Sequence, residues 1–547
     1  MSLVWLAVLA ALVGSAAWLA STLSGTPLVG YDAANVFFVY ARNLLDGHGF
    51  VFNAGGERVE GFTSPLWLLI CTAARAITPR FEILLFAINV ALVSVALWFL
   101  HRLLADRLRS SILAFALTAA VALTPGFVVS NVVSLMDSGL WSAMFVIATV
   151  AALRSARILP LLLIALVLTR PESLVLAPAL IAVAWGGSKD SPLRAVAAFV
   201  ITAAALLIWR LAYFGYPLPN TYYATAGEPI VQRLAAGFDY FSDFGLANPL
   251  VPVALAAGVI TTARSPSRAQ AGLLALMVLS CVVPIIEGGD RFGFWRMYQP
   301  VVLLALIQVA FTAAALATTK PTHARIVCIV AILLALVPWR HWAVLGDLDY
   351  SSPTTAKGIW YTPKVEISIA DDMRRIGAAF NRAFPDVKPR VGVIVAGGFA
   401  LTYTGPTIDL VGHNHVAMAH SPGPRGGPRG EMAFHPDVFT ALAPDVVLLS
   451  RWSPERDWFA FPMLGGEYDQ PAHLQPDYFR RRAASMWIFD QGVMKGLLLR
   501  SQAGERYAWA SVRPRGGTRW IHAVFNRDFL KSLEERGYEI IFATPPT

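Results

Sequence analysis

The chain has 547 residues, of which 56% are hydrophobic and only 14% charged, whereas an ordinary soluble domain has roughly 25% charged residues. This composition excludes a soluble globular enzyme, a disordered chain and a coiled coil. The charges are unevenly distributed, with 35 Asp, Glu, Lys and Arg in residues 1–340 and 44 in residues 341–547. The sequence therefore predicts a membrane module in residues 1–340 and a water-facing domain in residues 341–547, long enough for its own core.

The apolar stretches of the first module predict eleven membrane-spanning helices, because a helix needs about 20 residues to cross a bilayer and some cross with about 17. Eight stretches have full length: Leu3–Leu23, Glu82–Leu100, Ser111–Val129, Ala195–Phe214, Leu246–Thr262, Gln270–Glu287, Pro300–Thr318 and Ala324–Arg340. Three are shorter: Ser138–Leu153, Ile158–Thr169 and Ser173–Gly187. Another stretch, Ser64–Ile77, has about 14 residues, a length that favours an interfacial or re-entrant helix over a crossing.

The basic residues predict the orientation of this module. With eleven crossings, five short connections on one side hold eleven Lys or Arg, and the positive-inside rule assigns these connections to the cytoplasm. They are Arg102/Arg107/Arg109, Arg154/Arg157, Lys189/Arg194, Arg264/Arg268 and Lys320/Arg325. The N-terminus is then cytoplasmic, and residues 341–547 form an extracytoplasmic domain.

The outer connections collect the polar residues that are candidates for a site. They contain Tyr31-Asp32, the segment from Glu57 to Glu60, Asp137, Arg170 with Glu172, Pro219-Asn220-Thr221, and Gly288-Gly289-Asp290 with Arg296. Ionisable residues at a membrane face cost free energy unless they pair or perform a function. For each of these residues both explanations, a site and a structural pair, remain open.

The first outer loop, residues 25–63, is the most informative connection. Its segment Ala33–Leu45 has a helical pattern with an apolar and a polar face, which predicts an amphipathic helix on the outer membrane surface. Asp32 stands where the N-cap of this helix is expected. A carboxylate at this boundary could also accept a proton from an incoming hydroxyl group, so capping and catalysis are both open for Asp32.

The second domain reads as α/β. The pattern predicts a helix over Asp371–Phe384 and strands over Arg390–Ala396, Thr407–Val411 and Asp445–Ser450. No nucleotide-binding glycine pattern follows Gly397-Gly398. The spacing of the domain's histidines does not favour a metal site, and Cys71, Cys281 and Cys328 lie in apolar stretches of the first module, so the sequence predicts no metal site and no disulfide framework.

Several motifs, in their order along the chain, resemble those of bacterial polytopic glycosyltransferases of the GT-C fold, and most closely the branch of the mycobacterial terminal β-arabinofuranosyltransferase. The motifs are Tyr31-Asp32-Ala33, Tyr40-Ala41-Arg42-Asn43-Leu44, Gly47-His48-Gly49, Phe52-Asn53, Glu57-Arg58-Val59-Glu60-Gly61-Phe62-Thr63-Ser64, Thr169-Arg170-Pro171-Glu172, Tyr213-Phe214-Gly215, Pro219-Asn220-Thr221-Tyr222-Tyr223, Gly288-Gly289-Asp290 with Arg296 and Pro300, Ile408-Asp409-Leu410-Val411-Gly412, and Pro444-Asp445-Val446-Val447-Leu448. The resemblance implies a GT-C-like fold of about eleven transmembrane helices in the bacterial inner membrane.

The resemblance also implies a function: transfer of a sugar, with arabinofuranose as one candidate, from a polyprenyl-phosphate donor to a glycan, lipid or protein of the cell envelope. Asp32 matches the catalytic Asp of the family's first external loop. No cofactor is implied, although a divalent metal stays open. Three positions depart from the family pattern: Tyr31 replaces a first acid, Asp137 stands where Glu is frequent, and Thr225 stands where Lys is frequent.

The leaving group of such a transfer is a phosphate, so cations must hold it, and Arg offers bidentate contacts. We predict that Arg296 and then Arg170 bind the donor phosphate, with a structural pair to Glu172 or Asp137 as the alternative for Arg170. The candidate substrate-binding residues are Glu60, Asp137, Glu172, Asn220, Tyr222 and Asp290.

Two other functions remain as alternatives: a transporter or flippase of lipid-linked saccharides, and a non-catalytic partner that binds glycan. On the leading hypothesis, Asp32→Asn abolishes transfer and leaves folding intact.

Overall fold

The fold is known from a computed structural model that describes residues 2–187, 192–225, 229–264, 267–290, 292–317, 320–346, 362–422, 434–448, 467–469, 471 and 506–542. It is mostly helical, with one sheet in the C-terminal part. In chain order the helices are α1 (Ser2–Ser24), α2 (Asp32–Leu45), α3 (Pro65–Ile77), α4 (Phe81–Leu108), α5 (Ser111–Ala122), α6 (Pro125–Val128), α7 (Ser138–Leu153), α8 (Leu159–Thr169), α9 (Ser173–Gly187), α10 (Leu193–Phe214), α11 (Asn220–Thr225), α12 (Ile230–Ala247), α13 (Leu250–Arg264), α14 (Arg268–Glu287), α15 (Gln299–Ala317), α16 (Pro321–Leu336), α17 (Pro363–Ala383), α18 (Ala396–Thr402), α19 (Val416–His420), α20 (Pro436–Leu442) and α21 (Arg527–Glu535).

The chain divides into two compact units. The helical unit comprises Met1–Tyr31, Thr63–Trp209 and Pro229–Ile367, and the mixed unit comprises Asp32–Phe62, Arg210–Glu228 and Ser368–Thr547. This division differs from the predicted domains 1–340 and 341–547, because two segments of the first part group with the C-terminal residues. Those segments carry many of the side chains that were predicted as a site.

Within the described residues, six helices are long and apolar enough to cross a membrane, and the number rises to eight if each of two bent pairs counts as one span. The chain is therefore a multi-pass membrane protein. The six are Leu3–Ser24, Phe81–Leu108, Leu193–Phe214, Arg268–Glu287, Gly293–Ala317 and Pro321–Val344. All six overlap predicted full-length spans, whereas the predicted total of eleven is not supported.

Two physical reasons explain the lower number. Helices α7, α8 and α9 have 16, 11 and 15 residues, and at about 1.5 Å per residue each is shorter than the roughly 30 Å hydrocarbon core. The other two missing spans belong to bent pairs: Ser111–Ala122 bends by 71° into Pro125–Val133, and α12 bends by 94° into α13. Pro125 and Pro249 stand at these bends, where a proline cannot continue the preceding helix.

Two short helices were predicted in and directly after the first outer loop, and both are present as α2 and α3. Helix α3 has 13 residues and begins after Ser64, whose hydroxyl accepts a hydrogen bond from the Trp67 amide, so the predicted short helix is confirmed. Helix α2 also forms, but it buries Asn35 and Asn43 as well as its apolar face. The predicted amphipathic helix is therefore present as α2, and residues of its polar face are buried too, while its place on the membrane surface stays a prediction.

The mixed unit contains the predicted sheet. Its strands are β1 (Val391–Val393), β2 (Thr407–Asp409), β3 (Val446–Leu448), β4 (Glu467–Tyr468), β5 (Tyr507–Arg513), β6 (Trp520–Asn526) and β7 (Glu539–Phe542). The strand order is β2-β1-β3-β6-β5-β7, with β4 also paired to β6. Strand β1 runs parallel to β2 and β3, and the other pairs are antiparallel. The three predicted strands and the helix over Asp371–Phe384, here α17, are confirmed, except that residues 449 and 450 lie outside the described part.

Glycines allow close helix packing in the helical unit. A Cβ atom on Gly237 of α12 would collide with the carbonyl oxygen of Ile285 in α14, whereas a Cβ atom on Gly245 of the same helix meets nothing within 4 Å. Helix α12 therefore approaches α14 at Gly237, where the absence of a side chain is required.

We expect Gly237→Ala to lower the free energy of unfolding by about 1–3 kcal/mol, because α12 and α14 must separate to accept the methyl group. Gly245→Ala is the matched control and should be neutral or stabilising by up to about 1 kcal/mol, since Ala is the better helix former. Denaturation of the two purified variants in the same detergent measures the difference. Equal stabilities would contradict the described packing.

Candidate functional site

Six charged residues of the helical unit form what we call the ion cluster: Asp137, Arg170, Glu172, Glu287, Asp290 and Arg296. Each of them lies at or beside an interruption of a helix. Asp137 precedes α7, Arg170 and Glu172 flank Pro171 between α8 and α9, and the other three follow or end α14. Proline and glycine thus open the backbone where the charges gather.

Arg170 is the centre of the first half of the ion cluster. Its Nε and Nη2 donate to Oε1 of Glu172 at 2.9 and 2.6 Å, and its Nη1 lies 3.7 Å from Oδ2 of Asp137. All three side chains are buried. Burial raises the pKa of Asp137, and the charge of Arg170 opposes that rise. The ion pair that the sequence offered as the alternative role of Arg170 is therefore present.

Arg296 is the centre of the second half. Its Nε donates to Oδ2 of Asp290, its Nη1 lies 3.4 Å from the Met136 sulfur, and its guanidinium carbon lies 4.5 Å from the centre of the Phe292 ring. The side chain keeps 17% of its surface exposed, and within the described residues its Nη2 has no hydrogen-bond partner. The guanidinium of Arg296 is thus held at Nε by Asp290 and on one face by the Phe292 ring. Among the described residues its Nη2 remains available to a ligand.

The backbone around Arg296 is strained. Phe294 and Trp295 have φ angles of 64° and 49°, and Leu135, next to Met136, has a φ angle of 54°. These left-handed conformations are costly for residues with side chains and concentrate at functional sites. The side-chain Nε2 of Gln299 donates to the carbonyl oxygen of Phe294 at 2.5 Å and helps to hold this conformation.

Glu172 also lines a cleft inside the helical unit. The cleft is small, with a cavity volume of about 20 Å³, and its lining is otherwise mostly apolar, with Trp141, Phe145, Met297 and Pro300 among the lining residues. In the described part of the chain, Oε2 of Glu172 has no hydrogen-bond partner. A buried carboxylate oxygen without a partner is costly, so this atom is available to a hydrogen-bond donor of a ligand.

Glu287 joins the ion cluster through its electrostatic interactions with both arginines, Glu172 and Asp290. The cluster then has four carboxyl groups and two guanidinium groups. Among the residues that the structure describes, no three His, Cys, Asp or Glu side chains are arranged to hold a metal ion. The chemistry that the cluster offers is anion binding at Arg296 and proton acceptance at Glu172.

Asp32 belongs to the mixed unit. Its side chain is 6% exposed, and its two carboxylate oxygens accept hydrogen bonds from the amides of Gly397 and Gly398 at 3.0 and 2.7 Å. Asp32 thus caps α18, about 365 residues away in the chain, whereas the sequence suggested it as the N-cap of α2, which stays a prediction. The catalytic role stays a prediction, because each oxygen that accepts one amide keeps a further lone pair.

Glu60 is paired within the mixed unit. Both of its oxygens accept hydrogen bonds from Arg210, at 2.9–3.1 Å, and both side chains are buried. Burial raises the pKa of Glu60 to about 7, although the charge of Arg210 acts in the opposite direction. The backbone oxygen of Glu60 also accepts from the Asn220 amide at 2.9 Å. Glu60 thus joins the first loop to α10 and α11.

Asn220 and Tyr222 behave differently from each other. Asn220 is buried, donates to the carbonyl oxygens of Gly412 and His413 at 2.7 and 2.9 Å, and contacts Nε2 of His420 at 3.0 Å. Tyr222 is 48% exposed and packs edge-on against Tyr223. The side chain of Asn220 already forms structural hydrogen bonds, which its predicted role as a sugar partner would have to share. The ring of Tyr222 is accessible to a ligand.

The structure therefore brings five predicted residues together in the helical unit: Asp137, Arg170, Glu172, Asp290 and Arg296. It assigns four others to the mixed unit: Asp32, Glu60, Asn220 and Tyr222. Sequence reasoning missed Arg210 and Glu287. The signal for both was present, because each is the single charged residue of an otherwise apolar predicted span, where an ionisable residue calls for a partner or a function.

Compared with known proteins, the chain matches no protein-family model and has no significant match among curated proteins. The GT-C resemblance thus rests on the motifs alone.

We expect the stability of the fold to depend on pH through Glu60. Its pKa is higher in the folded chain, about 7, than its ordinary 4.5, so its contribution to stability is complete below pH 4.5 and is lost as the pH rises through 7. Between pH 4.5 and 8 the wild type should lose about 3 kcal/mol from this group. Glu60→Gln should remove this loss.

Denaturation at pH 5 and pH 8 measures this dependence. Glu57→Gln, which changes an exposed carboxylate of the same loop, is the control and should keep the wild-type dependence. The same pH dependence in Glu60→Gln and in the wild type would contradict the assignment.

Proposed function

We propose that this protein is a membrane glycosyltransferase that moves a sugar from a polyprenyl-phosphate donor to an extracytoplasmic glycan, lipid or protein acceptor. The observation that supports it most is Arg296, a guanidinium fixed on one edge by Asp290 and on one face by Phe292, with its Nη2 still available. A fixed, permanently charged group in a membrane protein is suited to hold the phosphate of a lipid whose chain stays in the bilayer.

In this reaction the acceptor oxygen attacks the anomeric carbon, and the bond between that carbon and the phosphate oxygen breaks. Polyprenyl phosphate leaves with an additional negative charge, and the proton of the acceptor hydroxyl passes to a carboxylate. Arg296 stabilises the charge that develops on the phosphate, a contribution of the kind that preorganised donors make at oxyanions. Arg170 holds Glu172 in place through the hydrogen bonds from its Nε and Nη2.

Two carboxylates compete for the role of the base. The GT-C resemblance gives that role to Asp32, whose oxygens accept hydrogen bonds from two backbone amides. Glu172 has one oxygen held by Arg170 and the other without a partner among the described residues, beside the cleft. A base needs a fixed orientation and a lone pair that the substrate can reach, and the Oε2 atom of Glu172 lies beside the cleft, so we assign proton acceptance to Glu172.

A transporter of lipid-linked saccharides is the second candidate, and a specific observation favours it. The ion cluster lies where helices are interrupted, between α8 and α9 and between α14 and α15. Interrupted helices with charged residues are typical of substrate sites in transporters. A transporter moves its substrate without cleaving it, so the two candidates differ in their products.

We expect Arg296→Ala and Glu172→Gln each to lower the release of polyprenyl phosphate by about 100-fold or more, because each removes an interaction with charge or protons in the transition state. The full-length protein in lipid nanodiscs is incubated with a panel of polyprenyl-phosphate sugars and an acceptor mixture, and mass spectrometry measures the released lipid phosphate. Arg154→Ala is the matched control: its side chain is 35% exposed and pairs with Asp106, so we expect activity within about twofold of the wild type.

Release that is unchanged in Arg296→Ala would reject the assigned site. If the wild type releases no lipid phosphate from any donor, the transferase proposal fails. Movement of an intact lipid-linked saccharide across proteoliposomes would then establish the transporter instead.

A further inference from the structure

Tyr240 of α12 carries a hydroxyl group that the fold buries and leaves unpaired. Its oxygen is shielded from solvent and has no hydrogen-bond partner among the residues that the structure describes. The hydroxyl of a buried tyrosine usually finds such a partner, because burying it without one costs free energy. A ligand that accepts a hydrogen bond at this place would offset the cost.

The hydroxyl of Tyr240 lies at the second half of the ion cluster. Tyr240 interacts electrostatically with Asp290 and Arg296, and the backbone of Met297 lies beside the hydroxyl without the geometry of a hydrogen bond. Arg296 and Met297 are consecutive in the chain, so the guanidinium and the hydroxyl belong to the same part of the helical unit. Both groups are hydrogen-bond donors, and Nη2 of Arg296 is likewise unpaired within the described ranges.

Packing fixes the ring of Tyr240. The ring stacks on that of Tyr298, with the ring centres 5.3 Å apart and an angle of 27° between the planes. Gly289 has a φ angle of 80°, and a Cβ atom there would lie 2.7 Å from Cβ and 2.8 Å from Cγ of Tyr240. The backbone next to Asp290 therefore packs directly on the tyrosine. A donor that is fixed in this way before the ligand binds loses little conformational freedom on binding.

Tyr298 offers a direct comparison within the same stack. Its hydroxyl donates to the carbonyl oxygen of Cys281 at 3.2 Å, and its side chain is buried. Of the two stacked tyrosines, Tyr298 thus uses its hydroxyl in the fold, whereas Tyr240 has no such bond in the described part of the chain. A phenylalanine would pack as well as Tyr240 does, so packing alone does not explain its hydroxyl.

The neighbouring groups favour an anion as the ligand. A permanently charged guanidinium and a neutral hydroxyl offer two donors, and a phosphate group has several acceptor oxygens. The carboxylate of Asp290 accepts a hydrogen bond from Nε of Arg296, so its charge is compensated within the site. Two donors on one phosphate hold it more specifically than a single charge does.

We propose that Tyr240 is a second phosphate-binding residue, whose hydroxyl donates a hydrogen bond to an oxygen of the phosphate that Arg296 holds. The identity of this phosphate, the head group of a polyprenyl-phosphate lipid, rests on the proposed function. The hydroxyl keeps its proton throughout and adds a neutral donor to the charged one. As negative charge develops on the leaving phosphate, this hydrogen bond becomes stronger.

Tyr240→Phe removes the hydroxyl and keeps the ring. We expect this variant to bind farnesyl phosphate, a short polyprenyl phosphate without a sugar, about tenfold more weakly than the wild type, because it loses a hydrogen bond to a charged acceptor. Binding of farnesol, which has the same chain and no phosphate, should not change. Titration calorimetry of the full-length protein in nanodiscs, with empty nanodiscs as the reference, measures both affinities.

The melting temperature without ligand separates a binding role from a structural one. Tyr240→Phe should keep or raise it, because the unpaired buried hydroxyl disappears. Tyr298→Phe is the matched control and should lower it, since this variant loses the hydrogen bond to Cys281. Its affinity for farnesyl phosphate should stay within about twofold of the wild type, because the removed hydroxyl belongs to the fold.

Three results would overturn the proposal. The first is equal affinity of Tyr240→Phe and the wild type for farnesyl phosphate, and the second is a wild type that binds farnesol as tightly as farnesyl phosphate. The third is a melting temperature of Tyr240→Phe that falls as far as that of Tyr298→Phe, because the fold would then use the hydroxyl.

This proposal and the transferase proposal fail separately. If the wild type binds farnesyl phosphate through Tyr240 but releases no lipid phosphate from any donor, the phosphate site is retained and the transferase is rejected. If the wild type releases lipid phosphate while Tyr240→Phe binds farnesyl phosphate with unchanged affinity, the transferase is retained without a role for Tyr240.

Discussion

The cost of burying charge is the constraint on which this structure depends. A buried guanidinium in apolar surroundings is tolerated only with a carboxylate partner. The buried Arg170 and Arg210 each have one, and so does the partly exposed Arg296. Two of these pairs form within a few residues of the chain, at breaks between helices. The third joins residues that are 150 positions apart, and it fixes the first loop. Two of the three ion pairs therefore lie where proline or glycine interrupts the helices, and the third joins distant segments of the chain.

The sequence predicts what depends on local pattern. Six of the eight full-length apolar stretches form long helices, and the three predicted strands form, because length and periodicity alone determine both. The pair between Arg170 and Glu172 was foreseeable from their separation by one residue. The bends at Pro125 and Pro249 were not predicted, since a proline in an apolar stretch can kink a helix or end it, and tertiary packing decides between the two.

The long-range contacts could not be predicted from one sequence. Asp32 bonds with Gly397 and Gly398, Asn220 bonds with Gly412 and His413, and each pair is about 200 residues or more apart. Taken singly, such residues look like polar positions in an outer loop, where a site and a structural bond are equally open. Only the fold shows that these side chains form hydrogen bonds with backbone amides and carbonyl groups. The sequence also could not predict that Oε2 of Glu172 is available, because this depends on Arg170 forming both of its hydrogen bonds with Oε1.

The motif residues of the mixed unit also limit what a motif resemblance can establish. Asp32, Glu60 and Asn220 carry the resemblance, and each makes hydrogen bonds that join segments of the fold. Asp409 does the same within its own loop, where it accepts from the amides of Val411 and Asn414. These residues serve the architecture of this chain whatever reaction it performs. The resemblance in these motifs is therefore evidence about the architecture first. The proposed chemistry depends on side chains that have an accessible group among the described residues, such as Arg296 and Glu172.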